Sequence, residues 1–180
     1  MTPARLNREM KSFCDDFRPI RRILRNIRAT LAGQKDQVDY FFFLPDVPGK
    51  AGSRRLKLRI DDGKPQLIYY YDRNQPGSRS VEFQVFEVSD PQIKDLLEHA
   101  LGVRTVVRKR REVWHKGNAT FNLDCVHGVG NVFEVEIQVS DAGDELEQIA
   151  HYRRRFGPYL GADIIGSNED MVAAVGDEAA

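Results

Sequence analysis

Residues 131–139 read NVFEVEIQV, a run in which apolar and charged or polar side chains alternate. Because successive side chains of a β-strand point to opposite faces, Glu134, Glu136 and Gln138 share one face and the opposite face is apolar. Two carboxylates on one face repel each other unless a cation lies between them, and magnesium prefers oxygen ligands. The stretch therefore predicts a strand whose polar face holds a divalent metal.

The composition indicates one ordinary globular domain. The chain has 180 residues, which is long enough to bury a core without a disulfide or a structural metal. Its 27 Lys and Arg residues balance its 27 Asp and Glu residues, and a net charge of zero argues against a general nucleic-acid binder. We predict a single domain over residues 1–180, with residues 171–180 as a frayed tail.

The cysteines and the apolar runs predict a reduced, soluble protein. Cys14 and Cys125 are far apart in the chain and form no Cys-x-x-Cys pattern, which is typical of ordinary thiols. No apolar run approaches the ~18 residues that cross a bilayer, and residues 1–13 contain no apolar signal segment. We therefore expect a cytoplasmic location.

Three segments have the periodicity and the end signals of helices. In residues 15–32, apolar side chains recur at steps of three and four after a pair of aspartates, and Gly33 is expected to end the helix. Residues 89–102 begin with Ser-Asp-Pro and end in glycine, which predicts a second helix. A third helix is predicted over residues 141–156, where acidic residues come first and arginines last, as the helix dipole favours.

Strand-like segments separated by turn signals fill the rest of the chain. They are residues 38–44, 54–60, 65–73, 81–88, 103–115, 120–126 and 131–139. Strands and helices do not alternate regularly in this order. The order therefore predicts an α+β fold with a mostly antiparallel sheet.

Charged side chains cluster on one face of strand after strand. In RRLKLRI, Arg55, Lys57 and Arg59 share a face, and in TFNLDCV, Asn122 and Asp124 share a face. The strand VVRKRREVW is cationic on both faces. A barrel with these charges in its lumen and helices outside explains the pattern. A metal-bound triphosphate in that lumen would satisfy both signs of charge, since arginine matches phosphate oxygens.

Several segments resemble, in chain order, those of the CYTH superfamily of class IV adenylyl cyclases and thiamine and inorganic triphosphatases. The segments are NREMK, QVDYFFFLP, RRLKLRI, LIYYYDR, VVRKRREVW, FNLDCVHGVGNVFEVEIQV and GSNEDMV. The run from Asp124 to Glu136 is the most specific, because an aspartate, two glycines and two glutamates fall at the family's offsets. The resemblance implies a closed antiparallel eight-stranded β-barrel flanked by helices, which forms a triphosphate tunnel.

The resemblance also implies two sets of site residues. The metal ligands would be Glu9, Asp124, Glu134 and Glu136. The phosphate-binding residues would be Lys11, Lys57, Arg59, Arg73, Arg108 and Arg110. Within that set the catalytic residues would be Lys11, Arg59 and Arg110. Arg111 would take the place of Arg110 if the register of that strand shifts.

The chain departs from the family pattern at two ligand positions. Asn7 stands where the E-x-E-x-K strand has its first glutamate, and Tyr71 stands where a later strand has a lysine. The first change removes a carboxylate from a second metal site, and the second removes a cation that would contact phosphate. The sequence therefore leaves open both an enzyme and a protein that only binds.

The implied activity is metal-dependent chemistry on a triphosphate, with Mg²⁺ or Mn²⁺ as cofactor. We expect a class IV adenylyl cyclase-like conversion of ATP into cyclic AMP and pyrophosphate. One alternative is a triphosphatase that acts on thiamine triphosphate, a nucleoside triphosphate or tripolyphosphate. Another is a noncatalytic binder of nucleotide or polyphosphate. We expect no nucleic acid or membrane as partner, and a homodimer stays open.

Overall fold

The protein is described by a computed structural model over residues 4–46, 54–71, 79–90, 92–141 and 143–178. Its strands are β1 Arg5–Phe13, β2 Thr30–Phe42, β3 Arg55–Asp61, β4 Lys64–Tyr70, β5 Arg79–Glu87, β6 Val103–Lys116, β7 Ala119–Val126 and β8 Gly130–Gln138. All pairs of neighbours are antiparallel and close into a barrel in the order β1-β5-β4-β3-β2-β6-β7-β8. This closed barrel of eight strands confirms the predicted fold class.

The α-helices in the described residues lie against the outside and one end of the barrel. They are α1 Phe17–Asn26, α2 Ile93–Leu101, α3 Glu145–Phe156 and α4 Asn168–Glu178. The N-cap of α1 is Asp16, whose carboxylate accepts a hydrogen bond from the Arg18 backbone at 2.9 Å. In the described part of the chain, no helix is both long enough and apolar enough to cross a membrane.

Helix boundaries differ from the predicted ones at several ends. Helix α1 ends at Asn26, and Gly33 is part of β2 at an irregularity in its pairing with β6. The prediction of a helix to residue 32 is wrong because pairing with β6 along the whole of β2 outweighs the local apolar period. Helices α2 and α3 begin at Ile93 and Glu145, later than predicted.

The predicted frayed tail is helix α4 through Glu178. Met171 and Val172 of this helix pack against an apolar cluster inside one end of the barrel. That cluster consists of the buried side chains Phe41, Val107, Val126 and Val132. The prediction for residues 171–180 is therefore wrong up to Glu178, because the apolar contacts hold the segment as a helix that closes this end.

The main hydrophobic core lies outside the barrel wall, under α1 and α3. Its largest buried side chains are Ile20, Leu24, Trp114, Phe121, Phe133, Ile137, Tyr152 and Phe156. Phe121 packs edge to face on Tyr152, with ring centroids 4.9 Å apart. Because alternate residues of β6, β7 and β8 face this core, the residues between them face the lumen.

Candidate functional site

The barrel encloses a cavity of about 430 Å³ whose wall is rich in charge. The charged side chains on its wall are Arg5, Glu9, Lys11, Lys35, Asp39, Arg55, Lys57, Arg59, Asp61, Lys109, Arg111, Glu134 and Glu136. Three of the five wall carboxylates lie together on β1 and β8, and six of the eight cations lie on β2, β3 and β6. The lumen is therefore charged on two sides with opposite sign, as the strand faces predict.

Three glutamates of β1 and β8 converge in the lumen. Glu9 lies opposite Glu136 in the pairing of the two strands, and Lys11 lies opposite Glu134. One carboxylate oxygen from each of the three glutamates lies within 4.8 Å of the other two. Three oxygen donors at this spacing suit a hard divalent cation such as Mg²⁺ or Mn²⁺.

Glu134 connects the acidic side of the lumen to the basic side. Lys11 Nζ lies 2.8 Å from Glu134 Oε1, and Arg111 Nη2 lies 3.1 Å from Glu134 Oε2. Burial disfavours the charged carboxylate, but Lys11 and Arg111 hold the pKa of Glu134 well below its ordinary value. Glu134 is therefore ionised and available to a metal at neutral pH.

Glu136 has two other carboxylates, Glu134 and Glu9, as neighbours. Burial, followed by the charges of Glu134 and Glu9, raises the pKa of Glu136 to about 8. Its oxygens accept hydrogen bonds from Asn7 Nδ2 at 3.1 Å and Asn122 Nδ2 at 2.8 Å. These amides supply hydrogen bonds to the Glu136 oxygens but no positive charge. The glutamates therefore fit a divalent cation, which would supply the missing positive charge.

Asp39 of β2 gathers three cations on the other side of the lumen. Arg59 donates to both Asp39 oxygens at 2.8 and 2.9 Å, Lys57 Nζ lies at 3.2 Å, and Lys109 Nζ lies at 3.8 Å. Burial disfavours the carboxylate, but Arg59, Lys57 and Lys109 hold the pKa of Asp39 well below its ordinary value. One carboxylate thus organises a basic patch that we call the Asp39 cluster: Asp39, Lys57, Arg59 and Lys109.

The surroundings of the two lysines in the Asp39 cluster disfavour their protonated forms. Burial and the charge of Arg59 lower the pKa of Lys57 to about 7. Burial and the charge of Arg111 lower the pKa of Lys109 to about 7 as well. An anion between these side chains would restore their ordinary protonation, so the patch is suited to bind one.

Asp124 and Arg111 form a buried fork on the floor of the basic side. Arg111 Nε and Nη2 donate to the two Asp124 oxygens, each at 2.6 Å. Asp124 is fully buried and is not a member of the glutamate group. Arg111 takes both of its oxygens, so the geometry gives Asp124 the role of orienting Arg111, and Asp124 as a metal ligand stays a prediction.

The sequence profile of the CYTH domain matches residues 6–157, a range that contains both charged sides of the lumen. This chain belongs to the CYTH family. The family binds triphosphate substrates. An oppositely charged lumen in a CYTH barrel is therefore a candidate triphosphate site.

The chain is also similar to individual known proteins. A curated protein of Methanocaldococcus jannaschii named "Putative adenylate cyclase" is 24% identical over 139 residues, which cover 76% of this chain and 79% of that protein. The structure of the PH1012 protein from Pyrococcus horikoshii has a TM-score of 0.76 at 26% identity and covers 92% of this chain and 99% of its own. A Hippeastrum adenylyl cyclase-like protein, described as having a dominant triphosphatase activity, has a TM-score of 0.62 at 15% identity, with 88% and 91% covered.

Strand β6 of this CYTH protein presents Lys109 and Arg111 to the lumen. The Arg110 side chain is 69% exposed and lies 3.4 Å from Asp36 on the outer surface. Arg108 is exposed as well. The prediction that Arg108 and Arg110 line the tunnel is therefore wrong, and the alternative residue, Arg111, is the one that lies inside.

The register of β6 has a simple physical cause. Trp114 has the same parity along the strand as Arg108 and Arg110, and it is buried in the core under α1. Burying an indole outside the barrel forces every second residue of β6 to the outside. Trp114 thus gives a signal in the sequence that Arg111, which has the opposite parity, faces the lumen.

The other predicted residues have clear positions. Lys11, Lys57 and Arg59 line the cavity, as do Glu9, Glu134 and Glu136. Arg73 lies outside the described residues. Tyr71, at the position of the family lysine, donates from its hydroxyl to Gln84 Oε1 at 2.6 Å.

Sequence reasoning missed three residues of the site. Asp39 and Lys109 form half of the Asp39 cluster, and Asn168 accepts a hydrogen bond from Lys11 Nζ at 3.0 Å. Asp39 could have been found from its place in the apolar run of β2, where a lone carboxylate requires a cationic partner. The position of Asn168 depends on the packing of α4, for which the sequence carries no local signal.

Removing the charge of Asp39 should destabilise the free protein. In an Asp39→Asn variant, the buried cations Arg59, Lys57 and Lys109 lose their counter-charge, and we expect a loss of about 3 kcal/mol in the free energy of unfolding at pH 6. Urea denaturation measures this loss, and tripolyphosphate should restore more stability to the variant than to the wild type. The control is Asp36→Asn on the outer face of the same strand, which should change stability by less than about 0.5 kcal/mol. Equal losses of stability in the two variants would contradict the claim that Asp39 supplies the counter-charge for the buried cations of its cluster.

Proposed function

We propose that this CYTH protein is a metal-dependent enzyme that binds a triphosphate in its tunnel and converts ATP into cyclic AMP and pyrophosphate. One observation carries the proposal: a set of three converging carboxylates faces a set of buried cations across one lumen. The cations are Lys11, Lys57, Arg59, Lys109 and Arg111. A metal–triphosphate complex has the charges that complement both sets.

The basic side supports binding of the phosphate chain. Arg59 and Arg111 offer planar forks that match phosphate oxygens, and the lysines offer compact charges between them. Two unit charges ~4 Å apart interact by roughly 4 kcal/mol at an effective dielectric of 20. Several such contacts with buried side chains favour tight binding of a highly charged chain over a monophosphate.

The acidic side supports a metal requirement. Glu9, Glu134 and Glu136 would hold Mg²⁺ or Mn²⁺. When bound, such an ion neutralises negative charge on the phosphate oxygens and orients the chain.

Lys11 and Arg111 both contact Glu134, so they lie where the two sides of the lumen meet. This is where they can stabilise the charge that develops on the phosphate oxygens during transfer. The protein thus contributes positioning and charge at the reacting phosphate.

The tunnel wall also favours a substrate with an organic group. Apolar and aromatic side chains from β4 and β5, namely Ile68, Tyr70, Phe83 and Val85, line the cavity beside the cations. Such a wall can contact a nucleoside, whereas inorganic tripolyphosphate has nothing to place against it. In the cyclase reaction the ribose 3'-hydroxyl attacks the α-phosphate and pyrophosphate leaves.

Hydrolysis is the second candidate, and Asn7 favours it. Asn7 donates its amide to Glu136 where the family strand has a glutamate, so the acidic side has one carboxylate fewer. Attack by water on the terminal phosphate does not require the ribose to be placed, and its products would be a diphosphate and phosphate. The Hippeastrum protein with a dominant triphosphatase activity shares this fold.

A product analysis separates these functions. Purified protein is incubated with ATP, thiamine triphosphate or tripolyphosphate, in Mg²⁺, Mn²⁺ or EDTA, and the products are resolved by anion-exchange chromatography. We expect cyclic AMP and pyrophosphate from ATP only with metal. A diphosphate and phosphate instead would establish the triphosphatase. Binding by calorimetry without any product would refute an enzyme and establish a noncatalytic binder.

The pH dependence of binding should report on Lys57. The pKa of Lys57 in the ligand-free protein is about 7. This side chain therefore loses its charge as pH rises from 6 to 8, and the affinity of the protein for tripolyphosphate should fall. In Lys57→Arg the charge persists, because arginine stays protonated over this range. In calorimetry without metal, the ratio of the tripolyphosphate affinity of the variant to that of the wild type should therefore rise about tenfold between pH 6 and pH 8. Ionisation of the ligand is the same for both proteins, so parallel curves would mean that Lys57 does not contact the anion.

A further inference from the structure

Arg55 and Glu169 meet at the end of the tunnel that α4 closes. Arg55 lines the cavity from β3, two residues before Lys57, and is 8% exposed. Glu169 is the second residue of α4 and is 2% exposed. Both side chains are thus buried charges at the edge of the site described above.

The contact between Arg55 and Glu169 is too long for a hydrogen bond. Arg55 Nη1 lies 3.9 Å from Glu169 Oε2 and 3.6 Å from Asp170 Oδ2. Among the residues that the structure describes, neither Arg55 Nε nor Glu169 Oε2 has a hydrogen-bond partner. A buried Nε–H without a hydrogen-bond partner is costly, so the Arg55 guanidinium is suited to an acceptor that comes from outside the chain.

Glu169 can release Arg55 without losing all of its partners. Its other oxygen, Oε1, accepts a hydrogen bond from Arg104 Nε at 2.7 Å. Displacing Glu169 from Arg55 therefore leaves this carboxylate in a hydrogen-bonded ion pair.

The first turn of α4 lies at the same place and carries two carboxylates, Glu169 and Asp170. Ser167 and Asn168 line the cavity beside Arg55, and α4 has 11 residues. Ser167 Oγ accepts a hydrogen bond from the Asp170 backbone N–H at 3.3 Å, so the N–H groups of Asn168 and Glu169 are those left to meet an anion at the helix N-terminus.

We propose that Arg55 and the first turn of α4 form a further phosphate subsite, and that Glu169 guards it. The subsite extends the row of Lys57 and Arg59 on β3 and binds the next phosphate of a chain, which takes Arg55 from Glu169. This inference rests on the proposed binding of a triphosphate in the tunnel and adds a preference for chain length. It predicts that longer polyphosphates bind more tightly because they reach Arg55.

Calorimetry with pyrophosphate and tripolyphosphate, in EDTA to prevent turnover, tests the subsite. We expect Arg55→Gln to weaken tripolyphosphate binding by about tenfold and pyrophosphate binding by less than about twofold. Glu169→Gln keeps an acceptor for Arg104 but removes the buried one of the two carboxylates beside Arg55, so it should strengthen tripolyphosphate binding several-fold. Arg55→Lys, which keeps the charge but not the fork, should be intermediate. The control is Arg110→Gln on the outer surface, which should leave both affinities unchanged.

The two proposals fail in different ways. If the wild type binds tripolyphosphate but all variants of Arg55 and Glu169 bind it equally well, the subsite is refuted and the proposed function stands. Reduced melting temperatures with unchanged affinities would show that the pair is only a structural contact. If the wild type binds neither ligand, the proposed function and the subsite are both refuted.

Discussion

Replacing Glu136 by glutamine should lower metal-dependent turnover by at least about 100-fold while leaving the protein folded. Glu136 is one of three glutamates that would hold the metal, and a neutral amide is a much weaker ligand for a hard cation. The Glu136→Gln side chain can keep its contacts with Asn7 and Asn122 if one of the amides reorients. The loss should therefore be seen in kcat at saturating substrate, with a melting temperature at or above that of the wild type.

The same variant should become relatively more stable as pH rises. The pKa of Glu136 is raised to about 8 in the folded protein, above its ordinary value of 4.5. The stabilisation that comes from proton binding is thus complete below about pH 4.5 and is lost as pH rises through 8. Glutamine does not titrate, so thermal unfolding of metal-free protein should show an advantage of Glu136→Gln that grows from pH 5 to pH 8.

Glu147 provides the matched control for Glu136. It is exposed in the first turn of α3, far from the lumen side chains, so Glu147→Gln should change neither turnover nor the pH dependence of stability appreciably. Wild-type turnover in Glu136→Gln would contradict the metal site. Unfolding of that variant would contradict the claim that repulsion among the three glutamates destabilises the metal-free protein.

Replacing Lys11 by glutamine should lower kcat by about 100-fold with a smaller effect on KM. Lys11 Nζ lies 2.8 Å from Glu134 and 3.0 Å from Asn168, between the acidic and the basic sides of the lumen. A cation in this position stabilises charge that grows on the phosphate in the transition state, whereas ground-state binding is shared with the other cations. Steady-state kinetics with ATP and Mg²⁺, at saturating metal, measures both constants.

Arg110→Gln is the control for Lys11→Gln. Arg110 lies on the outer surface beside Asp36, so its loss should change kcat and KM by less than about twofold. A large loss in Arg110→Gln with normal activity in Lys11→Gln would mean that the reaction occurs outside the tunnel.

The barrel could be predicted where one face of a strand is apolar. In residues 131–139 the alternation assigns Glu134 and Glu136 to the lumen without ambiguity, because Phe133, Val135 and Ile137 must be buried in the core under α1 and α3. Lys57 and Arg59 were placed by the same pattern and the family resemblance together.

The β6 strand could not be assigned from its own charges. Arg108, Lys109, Arg110 and Arg111 place cations on both faces, so the local pattern does not distinguish inside from outside. The decision comes from Trp114 further along the strand, whose burial is a tertiary effect.

The role of Asp124 shows what residue identity alone does not determine. The family resemblance groups Asp124 with the glutamates, and Arg111 on the neighbouring strand takes both of its oxygens at 2.6 Å. A carboxylate in a lumen can bind a metal, orient an arginine or do both, and the contact of Asp124 with Arg111 comes from the pairing of β6 with β7. For the same reason Asn168, which reaches Lys11 across 157 positions, was not predictable.

Diffraction at the manganese absorption edge can locate the metal and the nucleotide together. Crystals grown with Mn²⁺ and a nonhydrolysable ATP analogue should show an anomalous peak bound by Glu9, Glu134 and Glu136, with the phosphates against Lys57 and Arg59. A nucleotide bound on the outer surface of β6 beside Arg110, with no manganese at the three glutamates, would contradict a triphosphate tunnel.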